Sequence, residues 1–68
     1  MSTLRDANHN YLGNINDGYV TNPHGSLERG VRAYDDGEVY KYGKLVGKFD
    51  SAGYYWDRYS GRTDIYRE

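Results

Sequence analysis

Few side chains in this 68-residue sequence could carry out catalysis, and they do not group into a catalytic set. The two histidines, His9 and His24, lie in the polar, turn-like segments 8–10 and 23–25. There is no cysteine, so a thiolate nucleophile, a disulfide and a thiolate metal site are all excluded. A metal site needs several converging ligands, and no second histidine follows either one at a metal-binding spacing. We therefore expect turn roles for both histidines and no metal.

The acidic residues Asp35, Asp36 and Glu38 form the one local cluster of carboxylates, around Gly37. The acidic pair of a glycosidase flanks a cleft, whereas these three flank the tip of an expected hairpin. A calcium loop needs a longer alternation of oxygen ligands. The glycines form no phosphate-binding loop. We expect solvated turn residues here, and we predict no enzyme, no catalytic residue and no cofactor.

The densest chemical feature is the aromatic segment 54–59. Alternation along a strand places Tyr54, Trp56 and Arg58 on one face and Tyr55 on the opposite, core face. Tyr, Trp and Arg are the residues enriched at the energetic centres of protein interfaces. Trp56 could instead cover the sheet of its own domain. The predicted binding surface consists of Tyr40, Tyr42, Tyr54, Trp56 and Arg58.

Two other ligand classes fit part of the same pattern. The second half interleaves tyrosines with six Lys or Arg residues, as base stacking and phosphate contacts require. Seven Asp or Glu residues lie in the same half and cancel the positive charge, which disfavours nucleic acid. Trp56 and Tyr54 could also stack against sugars. Single-stranded nucleic acid and carbohydrate remain the alternatives to a protein partner.

The composition predicts a small hydrophobic core in which tyrosine rings supply part of the buried apolar surface. Leu, Ile, Val and Phe total eleven of 68 residues, while tyrosine alone supplies nine. A tyrosine can bury its ring and keep its hydroxyl near water. A short chain with such a core needs regular backbone pairing, a partner or self-association, so a homo-oligomer is one possible state.

The glycines reveal a repeat, which predicts an all-β chain. Asp17-Gly18 and Asp36-Gly37 are hairpin dipeptides, and β-branched or aromatic residues follow both. We predict one domain, 1–68, with three full hairpin repeats at about 13–29, 30–46 and 47–63. Three interleaved series recur at intervals of 16 to 19 residues: Gly13, Gly30, Gly47; Gly18, Gly37, Gly53; and Gly25, Gly43, Gly61.

The two ends of the chain read as one split repeat, 1–12 plus 64–68. Asn10 takes the place of a turn glycine, since Asn also adopts the left-handed conformation. We expect the C-terminal tail to supply the missing strand and close a pseudo-four-fold arrangement without exposed sheet edges. The predicted core consists of Leu4, Leu12, Ile15, Val20, Leu27, Val39, Leu45, Phe49, Tyr55 and Ile65.

This pattern resembles the four-fold β-flower domains of bacterial proteins. Glycine-x-aliphatic, a turn glycine, aromatic-valine and glycine-x-leucine recur from about Leu4 to Ile65. The resemblance implies a ring of β-hairpins around a pseudo-four-fold axis, and it implies no reaction or site residue. Segment 34–40 is similar to part of a MORN repeat, but the repeat period of this chain is shorter than that of MORN repeats. Segment 53–56 is similar to the aromatic hairpins of cell-wall-binding repeats, which are richer in tryptophan.

Taken together, the sequence predicts a small non-enzymatic binding module that acts on a protein through its Tyr/Trp/Arg-rich face. A protein of this size without catalytic groups could act as an inhibitor, such as an anti-defence protein of a phage or mobile element. The N-terminal segment has no apolar stretch typical of a secretion signal, and no run approaches the roughly 20 apolar residues of a membrane span. We therefore expect a cytoplasmic protein without membrane contact.

Overall fold

The computed structural model describes residues 2–68, and these fold as an all-β closed barrel of eight antiparallel strands. Met1, which the expected split repeat includes, lies outside the described residues. Each strand pairs with the next along the chain, and the last pairs with the first. Within residues 2–68 there is no helix of the length and hydropathy that crossing a membrane requires. The strands are β1 Ser2–Arg5, β2 Tyr11–Asn16, β3 Tyr19–Thr21, β4 Leu27–Ala33, β5 Glu38–Lys41, β6 Lys44–Phe49, β7 Tyr54–Asp57 and β8 Gly61–Arg67.

The two ends of the chain close the barrel, as the sequence predicted. β1 lies antiparallel to β8, with Leu4 opposite Arg67 and Arg5 opposite Tyr66. The N–H of Glu68 also donates to the carbonyl of Thr3 at 2.9 Å. Pairing the ends leaves neither β1 nor β8 as a free edge open to other chains.

The strand register repeats four times around the barrel. One inward position of each unit is occupied in turn by Leu4, Val20, Val39 and Tyr55, and the register shifts beside it each time. Such a bulge bends its strand and increases the local twist, which helps strands of three to seven residues to close a barrel. The four equivalent cross-strand pairs are Ile15–Val20, Ala33–Val39, Phe49–Tyr55 and Arg67–Leu4.

The β1–β2 and β3–β4 turns, at one end of the barrel, match residue for residue. This match corrects the prediction of which N-terminal residue takes the place of the turn glycine. The side chain of Asp6 accepts hydrogen bonds from the backbone N–H groups of residues 8 and 10. The side chain of Asn22 accepts the equivalent hydrogen bonds from residues 24 and 26. In this alignment His9, with a φ of 65°, takes the place of Gly25. The expectation that Asn10 replaces the turn glycine is therefore wrong by one residue.

Seven of the ten predicted residues belong to the core. Leu27 and Leu45 lie outside it, and the half-buried Ile65 lines the interior space without belonging to the core cluster. Leu27 is 53% exposed because β4 begins with four exposed residues, ahead of the part that reaches the core. Leu45 lies outside the core because the register shift beside Val39 gives the inward position to Val46. The buried residues are Leu4, Ile15, Ala33, Val39 and Phe49, and packed against them are Leu12, Val20, Val31, Val46 and Tyr55.

The difference between Leu4 and Leu27 predicts opposite responses to truncation. Leu4→Ala should lower the free energy of unfolding by about 2 kcal/mol, because it removes buried apolar surface from the core. Leu27→Ala, the matched control, should change it by less than about 0.5 kcal/mol. Urea denaturation followed by circular dichroism measures both. Equal losses in the two variants would contradict the placement of Leu27.

Candidate functional site

A groove with mainly apolar walls lies on the outside of the barrel between β6 and β7. Its volume is about 210 Å³. Antiparallel pairing sets its shape, because Trp56 lies opposite Lys48 and Asp57 opposite Gly47. Gly47 is buried, and the Tyr55 hydroxyl and the carbonyl oxygen of Trp56 occupy the space that a side chain there would need. The groove, called here the Trp56 groove, is lined by Leu45, Gly47, Lys48, Trp56, Asp57 and Arg58.

The indole of Trp56 is 43% exposed, yet it is fixed in place. Its Nε1–H donates to Oδ2 of Asp50 at 2.8 Å. The other oxygen of Asp50 accepts the backbone N–H groups of Ala52 and Tyr54 at 2.9 and 3.0 Å. Asp50 therefore joins the β6–β7 turn to the tryptophan. A side chain already held in one orientation loses little entropy when a partner covers it.

The same hydrogen bond predicts a measurable acid titration. The Trp56 indole N–H is the largest cause of the lowered pKa of Asp50, whose ordinary value is 3.8. A carboxylate with a depressed pKa stabilises the fold above its unfolded pKa. That stabilisation is lost as the pH falls through the folded pKa. Trp56 fluorescence should therefore change with a midpoint below pH 3.8, and the melting temperature should fall over the same range.

Asp50→Asn is the control for this titration. The asparagine oxygen can still accept the indole N–H but has no charge to titrate. The fluorescence step should disappear in this variant, while circular dichroism confirms that both proteins remain folded. A step that persists in Asp50→Asn, or a midpoint above 3.8 in the parent, would contradict the assignment.

Three cations lie around the Trp56 groove without forming an ion pair within residues 2–68, although Lys48 also lies opposite Glu38 on β5. Lys48 and Arg62 lie opposite Trp56 on its two neighbouring strands. The Arg62 guanidinium stacks 4.3 Å from the centre of the Tyr54 ring, and Arg58 Nη1 donates to the carbonyl of Leu45 at 3.4 Å. Within residues 2–68 the single ion pair is formed elsewhere, between Arg5 and Glu68.

The carboxylates near the groove are satisfied by N–H donors. Asp57 accepts the backbone N–H groups of Tyr59 and Ser60 at 2.8 and 3.1 Å, and these bonds lower its pKa. Asp50 accepts the three N–H groups described above. Arg58 and Arg62 are therefore available to carboxylates of a bound partner, whereas Lys48 already faces Glu38 at a distance longer than an ion pair.

The structure distributes the five predicted binding residues over four places. Trp56 and Arg58 lie together in the groove. Tyr54 lies beside it on β7, half-buried between Arg62 and the ring of Tyr66. Tyr40 on β5 packs edge-on against Tyr34, with ring centres 5.4 Å apart. Tyr42, 74% exposed, lies in the β5–β6 turn with its ring over Gly30.

Four of the six residues that line the groove are not among the predicted binding residues: Leu45, Gly47, Lys48 and Asp57. The repeat predicts Leu45 in the core, and the sequence identifies Lys48 only as one of several cations. The signal for Lys48 was its cross-strand position relative to Trp56, which depends on the register of the hairpin.

A second cluster of aromatic and cationic side chains lies elsewhere on the barrel, and its arginine already contacts groups of the same chain. The Arg32 guanidinium lies 4.2 Å from the centre of the Tyr19 ring and 5.8 Å from that of Tyr34. Its Nε donates to the carbonyl of Gly18 at 3.1 Å. This arginine joins two hairpins of the chain, so the cluster is a weaker candidate for a partner surface.

The remaining candidates for chemistry lie in turns. His9 Nδ1 is 2.9 Å from the hydroxyl of Tyr66, and His24 is exposed in the β3–β4 turn. Asp36 accepts the backbone N–H of Glu38, and the side-chain hydrogen bond and negative charge of Asp36 raise the Glu38 pKa. In residues 2–68, no three His, Asp or Glu side chains converge as metal ligands would.

Comparison with protein-family models, with curated proteins and with solved structures finds no match to this chain.

Proposed function

We propose that the chain is a protein-binding module and that the Trp56 groove is its contact surface. The observation that carries this proposal is the fixed, half-exposed indole of Trp56 beside an open groove. An indole in this setting can bury a large apolar area against a partner. Trp and Arg are also the residues that most often dominate binding energy at interfaces.

The groove suggests the chemistry of the bound segment. Its apolar walls suit an apolar side chain, and Lys48, Arg58 and Arg62 suit carboxylates on either side of it. The partner segment we propose is therefore an apolar residue flanked by Asp or Glu. Binding would block the partner's surface, which is how a small inhibitor from a phage or mobile element could act.

A protein partner fits the groove better than single-stranded nucleic acid does. Asp57 lines the groove and Asp50 lies against the indole, so a phosphate chain passing over Trp56 would meet two carboxylates. A peptide can place its own carboxylates at the cationic rim and its apolar side chain in the centre. The carboxylates of Asp50 and Asp57 would not repel a neutral sugar, so this argument does not separate carbohydrate from a protein partner.

Selection from a random peptide display library tests the proposal. The parent protein should enrich peptides that carry an apolar residue next to Asp or Glu. Trp56→Ala should weaken binding of those peptides about 30-fold, the loss of a typical hot-spot residue. Tyr11→Ala is the control, because Tyr11 is 41% exposed, much like Trp56, and lies on β2, which does not pair with β6 or β7 and does not line the groove. Melting curves show whether both variants fold.

Four outcomes would overturn the proposal. The library could give no enriched peptide, or the enriched peptides could bind Trp56→Ala as well as the parent. Oligothymidylate could also bind more tightly than any peptide, with an affinity that falls steeply with salt, which would favour the nucleic-acid alternative. Salt-insensitive quenching of Trp56 by oligosaccharides, without peptide binding, would favour the carbohydrate alternative.

A further inference from the structure

The interior of the barrel contains an apolar cavity of about 220 Å³ that is open to solvent. The five most buried side chains still retain 3–8% exposure, because they face this space. An eight-stranded barrel is just wide enough either to be filled by side chains or to hold one small ligand. The cavity is lined by Leu4, Ile15, Val20, Val31, Ala33, Val39, Lys41, Val46, Phe49, Tyr55 and Ile65.

The sequence explains why the interior is unfilled. At one layer of the barrel, the four equivalent positions hold Ile15, Ala33, Phe49 and Arg67. Ala33 contributes only a methyl group, whereas the side chains at the three equivalent positions are larger. Arg67 lies with its guanidinium 4.8 Å from the centre of the Phe49 ring. The space left beside Ala33 is therefore bounded by aliphatic and aromatic groups.

One charged side chain, Lys41, lines this cavity. Alternation along β5 places Lys41 on the same inward face as the buried Val39, but Lys41 itself is exposed. Its aliphatic stem can border the apolar space while its ammonium reaches water. The cavity thus has an apolar body and a cationic group at its opening.

We propose that the barrel interior binds a small apolar carboxylate, with the hydrocarbon inside and the carboxylate at Lys41. An apolar cavity of roughly 150 Å³ is known to stay dry and to take up benzene. The larger space here suits one ring with a short chain, or an alkyl chain of about six carbons. This site is independent of the Trp56 groove, which lies on the outside of β6 and β7.

Methyl and amide NMR titrations with hexanoate and hexanol test this proposal. Both probes should shift the signals of lining residues such as Leu4, Val39 and Ile65 in a saturable manner. Hexanoate should bind about threefold more tightly than hexanol, the gain expected from one exposed ion pair. Lys41→Met should abolish that difference. Lys44→Met, which alters an exposed lysine outside the cavity lining, should preserve it.

Filling the cavity provides the second arm of the test. Ala33→Leu should abolish binding of both probes and leave peptide binding at the Trp56 groove unchanged. Should Ala33→Leu fail to fold, Val20→Ile fills the space with a smaller change and should weaken both probes. The proposal is overturned if neither probe shifts the lining signals, or if the shifts persist in a folded cavity-filled variant. Equal affinities for hexanoate and hexanol would refute the role of Lys41.

Discussion

Gly13→Ala is expected to abolish most of the stability of this protein. The φ of Gly13 is +128°, a conformation that residues with a Cβ rarely adopt. A Cβ built there would overlap the carbonyl oxygen of Thr21 on the paired strand and lie 2.9 Å from its carbonyl carbon. Both atoms belong to the backbone, so β2 and β3 would have to separate.

The expected loss for Gly13→Ala is at least about 4 kcal/mol. A domain of this length has roughly 3–10 kcal/mol in total. Gly25→Ala is the matched control, since Gly25 also has a positive φ, +86°, but has no atom within 4 Å of an added Cβ. It should cost about 1 kcal/mol. Urea denaturation compares the two, and similar losses would contradict the close approach of β2 and β3 at Gly13.

Removal of residues 64–68 is expected to have the second largest effect. This deletion removes the pairing of β1 with β8, the Ile65 side chain from the cavity lining, and the Arg67 guanidinium from the Phe49 ring. Because the barrel would open, the two unpaired edges would be free to pair with other copies. Light scattering should show aggregates or oligomers, and the cooperative melting transition should disappear.

Glu68→Gln is the control for this deletion. It removes the exposed ion pair with Arg5 but keeps the backbone bond from residue 68 to Thr3. The expected cost is below about 1 kcal/mol. A truncated protein that melts cooperatively as a monomer near the parent temperature would show that the closure contributes little to the fold.

The sequence predicted the topology because the signals for it are local. The regular glycines and the Asp-Gly pairs mark hairpin turns, and a chain that alternates turns with short strands forms antiparallel neighbours. The closure by the two ends followed from recognising half a repeat at the N-terminus. The bulges have no comparable signal in the sequence, and for that reason the repeat predicts Leu45 in the core where the structure has Val46.

The site was predicted only in part, for the same reason. The composition of segment 54–59 indicated Trp56 and Arg58. Which residues of β6 face them depends on the register of the hairpin, and a shift of one residue exchanges the two faces of a strand. The side chain that fixes the indole, Asp50, is six residues away and could be found only once the β6–β7 turn was known.

The most direct measurement for the proposed function is an NMR map of the bound peptide. A selected peptide is titrated into the labelled protein, and the indole N–H of its single tryptophan provides an isolated signal. We expect this signal and the amides of Leu45, Lys48 and Arg58 to shift together and to saturate at one affinity. Shifts concentrated instead at Tyr19, Arg32 and Tyr34, with the indole unchanged, would contradict the Trp56 groove as the binding surface.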